Sequence, residues 1–167
     1  MSLPLAAGGA VVLALLELSV TPYVSINGLK PDLVLVAVIA IASILGLPRA
    51  LGWAFVGGLM LDLLSAGPYR PIGATAFTLL LVAGLAAGTS RLLPGGRVAV
   101  VVALAFVLGV LYHILVLFFL SLRGVSADDP LGAAIPIAIL DAALALPVAL
   151  GTVLVARRLE HHEGLGW

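Results

Sequence analysis

Six apolar runs, separated by proline and glycine, take up most of this 167-residue chain. A bilayer-spanning helix needs about 20 apolar residues, and most of these runs approach that length. The chain is 63% hydrophobic and 10% charged, whereas soluble domains are about 25% charged, so lipid is the expected solvent. The sequence predicts an all-α integral membrane protein, a single domain over 1–167 with six transmembrane helices at about 3–21, 32–47, 50–67, 72–90, 98–122 and 131–156.

The second and third runs are short and are joined only by Leu47-Pro48-Arg49. One long re-entrant hairpin and two tight spanning helices both fit this pattern, and we favour the two helices. A β-barrel does not fit, because barrel strands alternate in hydrophobicity and these runs are continuously apolar.

Basic residues are distributed unequally between the two ends of the predicted bundle. An even number of helices places both termini on one side, together with Arg49, Arg91, Arg97, Arg157 and Arg158. The other side carries Lys30, Arg70 and Arg123 beside Asp32, Asp128 and Asp129. Cytoplasmic loops are enriched in Lys and Arg, so we expect a multi-pass protein with both termini in the cytoplasm.

Several classes of function have no support in the residues. The net charge is zero and there is no cysteine, which disfavours nucleic-acid binding and excludes thiolate chemistry. No P-loop and no Gly-x-Ser-x-Gly elbow is present. No histidine stands three or four residues from another potential metal ligand, and His161 and His162 are adjacent. We therefore expect no enzyme, and no catalytic, cofactor-binding or metal-binding residues.

Four titratable residues nevertheless lie inside apolar runs: Glu17, Asp62, His113 and Asp141. A charge at a helix centre costs about 3 kcal/mol even on gentle scales, so such residues are expected to face other helices, a cavity or a partner. Small residues, which mark helix interfaces in membranes, share a face with each acid. They are Ala6, Ala10, Ala14 and Thr21 with Glu17; Ala54, Gly58, Ser65 and Ala66 with Asp62; and Ala134, Ala138, Ala145 and Ala149 with Asp141.

Three interpretations of these residues remain open. They pack helices together or dock a partner, they form a polar site for a ligand or lipid headgroup, or they conduct a proton or ion. We favour the first. Pro136 and Pro147 flank Asp141 in the last run; a hinge or docking groove is one interpretation, and local bending absorbed by neighbouring helices is the one we favour.

Two segments carry a resemblance to a known family. The first, 29–36, reads Leu-Lys-Pro-Asp-Leu-Val-Leu-Val, and the second, 52–65, contains Gly-Gly-Leu-Met-Leu-Asp-Leu-Leu and is followed by Gly73 and a helix rich in Ala, Leu and Gly. Together they resemble the rod shape-determining protein MreD family. The resemblance is good over about 22–90 and rests mainly on hydropathy in the C-terminal half.

The resemblance implies a non-enzymatic scaffold of the cell-elongation machinery in the bacterial inner membrane. Its implied partners are the bitopic protein MreC and the peptidoglycan synthase pair, a SEDS glycosyltransferase and a class B penicillin-binding protein, with a second copy of the chain as a further candidate. The implied fold is similar to the substrate-binding S components of energy-coupling-factor transporters.

The candidate helix-interface or partner-docking residues have two sources. The family pattern is matched by Pro31, Asp32, Gly57, Gly58, Asp62 and Gly73. The residues alone, without the family, nominate Glu17, His113 and Asp141. Asp62 is expected to cap or bridge the outer end of the third helix, near Tyr69 and Arg70.

The alternative function is that of a solute-binding membrane subunit of the energy-coupling-factor type. The spacing Ala6-x-x-x-Ala10-x-x-x-Ala14 resembles the stripe with which such subunits dock their membrane partner. The predicted outer loops, however, offer few polar groups for a solute pocket.

Overall fold

The computed structural model describes residues 3–24, 30–64, 72–93, 95–124 and 129–163. These residues form six α-helices and no strand. The helices are α1 (Leu3–Val24), α2 (Leu33–Ile44), α3 (Leu47–Leu64), α4 (Ala74–Thr89), α5 (Arg97–Ser121) and α6 (Pro130–Glu163). The all-helical architecture predicted from the sequence is thus confirmed for the described part of the chain.

Helix α2 lies at the centre of the bundle and packs against each of the other five helices. Every residue from Val34 to Ala42 is buried, as expected of a helix that is apolar on all sides. The sequence Val-Leu-Val-Ala-Val-Ile-Ala-Ile-Ala provides no polar face that could be turned outwards. The hydrophobic core of the protein is therefore built around this one short helix.

The other helices form an incomplete ring around α2. Neighbours in this ring pack in the order α1, α3, α4, α5 and α6. Within the described residues, α1 and α6 do not pack against each other. The ring is therefore open between α1 and α6, and we call this gap the open position.

The helices differ in their capacity to cross a membrane. By length and composition, α3, α5 and the Pro130–Arg158 part of α6 are long and apolar enough to do so. Helix α2 has only 12 residues, which at about 1.5 Å per residue extend about 18 Å. A hydrocarbon core is about 30 Å thick, so α2 covers little more than half of that distance.

The connection between α2 and α3 is tighter than the sequence suggested. Helix α2 ends at Ile44, whereas the sequence predicted 47, because Gly46 adopts a φ of 95°. The N–H groups of Leu45 and Gly46 both donate to the Ile41 carbonyl, the pattern of a left-handed C-terminal cap. Helix α3 then begins at Leu47, with Pro48 in its first turn, where a missing N–H does no harm.

Helix α6 runs without interruption through Pro136 and Pro147. Both prolines therefore lie inside a continuous helix in this structure. The alanines at 134, 138, 145 and 149, on the same face as Asp141, are completely buried. This face packs towards α2 and α5, so the small side chains allow close approach of the helices.

Gly58 marks the closest helix contact in α3. A Cβ atom added to Gly58 would lie 2.5 Å from the Ala76 Cα and 2.8 Å from the Ala76 nitrogen. These are backbone atoms, which cannot rotate away, so α4 itself would have to move. Gly57 makes a similar approach to the Val34 side chain of α2, at 2.8 Å from Cγ1.

We predict that Gly58→Ala lowers the free energy of unfolding by about 1 to 3 kcal/mol, the usual cost of overpacking. The matched control is Gly84→Ala on α4, where an added Cβ meets nothing within 4 Å. The control is expected to be neutral or stabilising, since alanine is the better helix former. Thermal unfolding of the purified protein in detergent measures both variants, and equal stability of the two would contradict the close contact.

Candidate functional site

The N-terminus of α2 creates a problem that the rest of the protein has to solve. The first turn of any helix leaves backbone N–H groups without intrahelical partners. At α2 these groups are inside the bundle, since the helix is buried from Val34 onwards. An unsatisfied N–H in a lipid-surrounded interior costs several kcal/mol, so acceptors must come from elsewhere in the chain.

Two carboxyl groups from separate helices supply these acceptors. The Val34 N–H donates to Oε2 of Glu17, on α1, at 2.8 Å. The Asp32 N–H donates to Oδ1 of Asp141, on α6, at 2.7 Å. Glu17 is 6% exposed and Asp141 is completely buried. The two helices that border the open position are thus both attached to the N-terminus of α2.

Asp62 performs the same role for a second helix. Its carboxyl group accepts from the N–H groups of Gly73 at 2.9 Å, Thr75 at 3.2 Å and Ala76 at 3.3 Å. These residues begin α4, whose N-cap, Gly73, has no side chain of its own with which to cap it. Gly73 also has a φ of 95°, a conformation that suits glycine.

This geometry makes one sequence-based expectation more specific. Asp62 was expected to cap or bridge the outer end of helix three; it lies in the last turn of α3, and its carboxyl bridges to the first turn of α4. The physical reason is that Gly58, one turn earlier on the same face, brings α4 into backbone contact with α3. Tyr69 and Arg70, the neighbours expected for Asp62, lie outside the described residues.

All three helix-borne acids of the described membrane segments therefore cap the N-terminus of another helix. A helix N-terminus carries about half a positive charge, which stabilises an anion beside it by up to about 2 kcal/mol in partly buried sites. A hydrogen bond contributes about 1 kcal/mol to stability, and about 1.5 to 3 kcal/mol where the acceptor is ionised. The arrangement therefore gives the buried acids a stabilising role in the fold.

Asp32 does not cap its own helix, although it occupies the N-cap position of α2. Its Oδ2 instead lies 3.0 Å from Nε2 of His113, on α5. The other ring nitrogen, Nδ1, is 2.7 Å from the Gly109 carbonyl oxygen. Since a carbonyl only accepts, Nδ1 is the protonated nitrogen of that pair.

The second oxygen of Asp141 completes this arrangement. Asp141 Oδ2 lies 3.9 Å from His113 Nδ1, too far for a hydrogen bond, and has no hydrogen-bond partner within the described part of the chain. One potential ligand atom from each of Asp32, His113 and Asp141 lies within 4.8 Å of the others. We call Glu17, Asp32, His113 and Asp141 the polar cluster.

The structure thus brings four of the nominated residues together and leaves the others apart. Glu17, Asp32, His113 and Asp141 share the polar cluster. Asp62, Gly58 and Gly73 meet at the start of α4. Pro31 directly precedes the cluster residue Asp32 and is partly buried.

Sequence reasoning missed the metal-ligand geometry of the polar cluster. It considered ligands three or four residues apart on one helix, whereas Asp32, His113 and Asp141 come from three different elements. One signal was available. The run that becomes α2 is short for a membrane-spanning helix and begins with Pro31-Asp32, so the acids of other apolar runs were candidate acceptors for its first N–H groups.

A groove occupies the open position. Its volume is about 740 Å³, and it is bordered by α1, α2, α3 and α6. The lining is largely apolar, with Arg49 as a charged member, and consists of Leu13, Ala37, Ile41, Leu45, Pro48, Arg49, Gly52, Trp53, Phe55, Val56, Val148, Gly151, Thr152 and Val155. The central helix is thus reachable through the groove.

Two alanines of the stripe on α1 are turned into the bundle. Ala10 and Ala14 are both completely buried, and α1 packs against α3 and α2. These two alanines therefore contact helices of the same chain and are not exposed to a separate transporter subunit.

Comparison of the sequence with models of known protein families identifies the family of this chain. The sequence model of the rod shape-determining protein MreD family matches residues 7–152. The chain belongs to the MreD family. It is accordingly a cell-shape protein, and its apolar helices agree with a membrane location. Neither the comparison with curated proteins nor that with solved structures found a match. The match covers all the residues of the polar cluster, together with Asp62 and Gly73.

We predict that Asp62→Ala lowers the free energy of unfolding by about 2 to 3 kcal/mol, because buried N–H groups at the start of α4 lose their acceptor. The matched variant Asp62→Asn keeps one acceptor oxygen, but it loses the charge and places an NH2 group where the second oxygen accepts. An intermediate loss of about 1 to 2 kcal/mol is therefore expected. Unfolding in detergent measures these free energies, and stability is expected to fall in the order wild type, Asp62→Asn, Asp62→Ala. An Ala variant as stable as the wild type would show that the caps contribute nothing.

Proposed function

We propose that this chain is a non-enzymatic scaffold of the cell-elongation machinery in the bacterial inner membrane, and that it binds the single transmembrane helix of MreC in the open position. In this proposal it crosses the membrane six times and has both termini in the cytoplasm. By holding MreC it helps to organise the peptidoglycan synthase, a SEDS glycosyltransferase with a class B penicillin-binding protein. Family membership supports the setting, and the open ring supports the mode of binding.

The observation that carries the proposal is the incomplete ring around α2. Parallel rods of equal width pack with six neighbours around a central one, and α2 has five. The missing neighbour would stand between α1 and α6, where the groove reaches Ala37 and Ile41 of the central helix. A partner that contributes one membrane helix would complete the bundle.

Two glycines in the groove support a helix as the occupant. Gly52 of α3 and Gly151 of α6 both line the groove, and a Cβ atom added to either meets nothing within 4 Å. Glycines that line an apolar groove and have open space beside them leave room for the close approach of another helix. Trp53 and Phe55 add large apolar contact area at the border of the groove.

The role of the buried acids supports a scaffold over an enzyme. Glu17, Asp62 and Asp141 all accept from backbone N–H groups at helix N-termini. This is a structural use of side chains that could otherwise serve as general acids or bases. The excess of arginine at the end of the bundle that holds the termini supports a cytoplasmic location for that end.

The proposal predicts that filling the groove prevents binding of MreC. Gly52→Leu and Gly151→Leu place side chains in open space, so the fold is retained while the seat for a partner helix is occupied. The expected result is at least a tenfold loss of MreC recovered with the purified chain, because about 1.4 kcal/mol of lost packing already has that effect.

The matched control is Gly84→Leu on α4. Gly84 is also exposed with nothing within 4 Å of an added Cβ, but α4 stands opposite the open position in the ring. Co-purification from native membranes in mild detergent, followed by mass spectrometry, compares the three variants. Full recovery of MreC with both groove variants would exclude the open position as its seat. Recovery lost only with Gly84→Leu would move the interface to α4.

A further inference from the structure

We propose that the polar cluster binds a divalent transition-metal ion, with zinc as the best match, through Asp32, His113 and Asp141. The site lies where the segment before α2, helix α5 and helix α6 meet. Its ligand atoms would be Nε2 of His113, Oδ2 of Asp32 and Oδ2 of Asp141. This role goes beyond capping, which uses Oδ1 of Asp141 and the backbone of Asp32.

The orientation of the His113 ring is the first argument. Nδ1 donates its hydrogen to the Gly109 carbonyl at 2.7 Å, so a neutral ring presents Nε2 as a free electron pair. That pair faces Asp32 Oδ2 at 3.0 Å, and two acceptors at this distance need a proton or a metal cation between them. Histidines that ligate metals commonly donate their other N–H to a backbone carbonyl in this way.

The unpaired oxygen of Asp141 is the second argument. Asp141 is completely buried, and its Oδ2 has no hydrogen-bond partner within the described residues. Buried carboxylate oxygens without a partner are rare and call for an explanation, of which an ion is one. Gly109 keeps room beside it, since a Cβ there would lie 3.5 Å from this oxygen.

The burial of the two carboxyl groups is a further reason to expect a cation. Asp141 is completely buried, and the Asp32 side chain is 24% exposed. Two carboxylates in such surroundings are costly unless their charge is balanced. A divalent cation between them would balance both.

The donor set selects the metal. Imidazole nitrogen favours zinc and its transition-metal neighbours, whereas magnesium and calcium prefer oxygen ligands only. Zinc binds nitrogen and carboxylate oxygen at about 2.0 to 2.2 Å, which at a tetrahedral angle separates adjacent ligand atoms by about 3.3 Å. The observed 3.0 Å between His113 Nε2 and Asp32 Oδ2 is close to that separation.

The test is titration of the purified, metal-free chain with zinc chloride, followed by calorimetry and by elemental analysis after desalting. All variants carry His161→Asn and His162→Asn, because these adjacent histidines offer competing imidazoles. We expect about one zinc ion per chain, a thermal midpoint that rises with zinc concentration, and no such rise with magnesium chloride.

Two variants locate the site and one serves as the control. His113→Gln removes the nitrogen ligand, and Asp141→Asn removes a ligand oxygen while keeping an acceptor for the Asp32 N–H; each is expected to weaken zinc binding at least tenfold. Asp62→Asn removes a buried acid outside the cluster and should leave zinc binding unchanged.

Two results would overturn the proposal: absence of zinc binding, or zinc binding that survives both cluster variants. Either result would leave a protonated His113 as the partner of Asp32.

Discussion

A helix that begins inside a membrane protein must find acceptors for its first N–H groups, and this requirement organises the structure around α2. Water is the usual partner at a helix end, but Val34 and its neighbours are buried. Carboxylates on α1 and α6 replace it. The same solution recurs at α4 with the carboxylate of Asp62. Acids that look costly in the sequence are therefore what allow the short helices to exist.

The capping bonds also explain how the bundle stays together while its ring is open. Helices α1 and α6 do not pack against each other in the described part of the chain, yet side chains of both accept hydrogen bonds at the N-terminus of α2, from the N-cap Asp32 and from Val34. The two helices are thus fixed at the end of the bundle where α2 begins. Towards the other end, they leave a groove beside Ala37, Ile41 and Leu45, which is the seat that we propose for MreC.

Much of the fold was readable from the sequence, because hydropathy and proline placement define helices in a lipid-surrounded chain. The spacing of small residues along the first and last helices predicted that Ala10, Ala138 and Ala145 face other helices, and all three are buried. The partners of the acids were not readable. The bond from Asp32 to Asp141 joins residues 109 positions apart, and nothing in local periodicity encodes it. The helix to which Asp62 bridges was not readable either, since packing at Gly58 brings α4 to it.

Site-resolved amide hydrogen exchange in lipid nanodiscs tests the capping account most directly. Loss of the Glu17 acceptor in Glu17→Ala is expected to accelerate exchange of the Val34 amide by about tenfold or more, as loss of about 1.4 kcal/mol of local protection requires. Exchange at Thr75, which is capped by Asp62, should not change, and Glu17→Gln, which keeps an acceptor, should have a smaller effect at Val34. Unchanged exchange at Val34 in Glu17→Ala would contradict the account, and equal acceleration at both amides would indicate general loosening of the bundle.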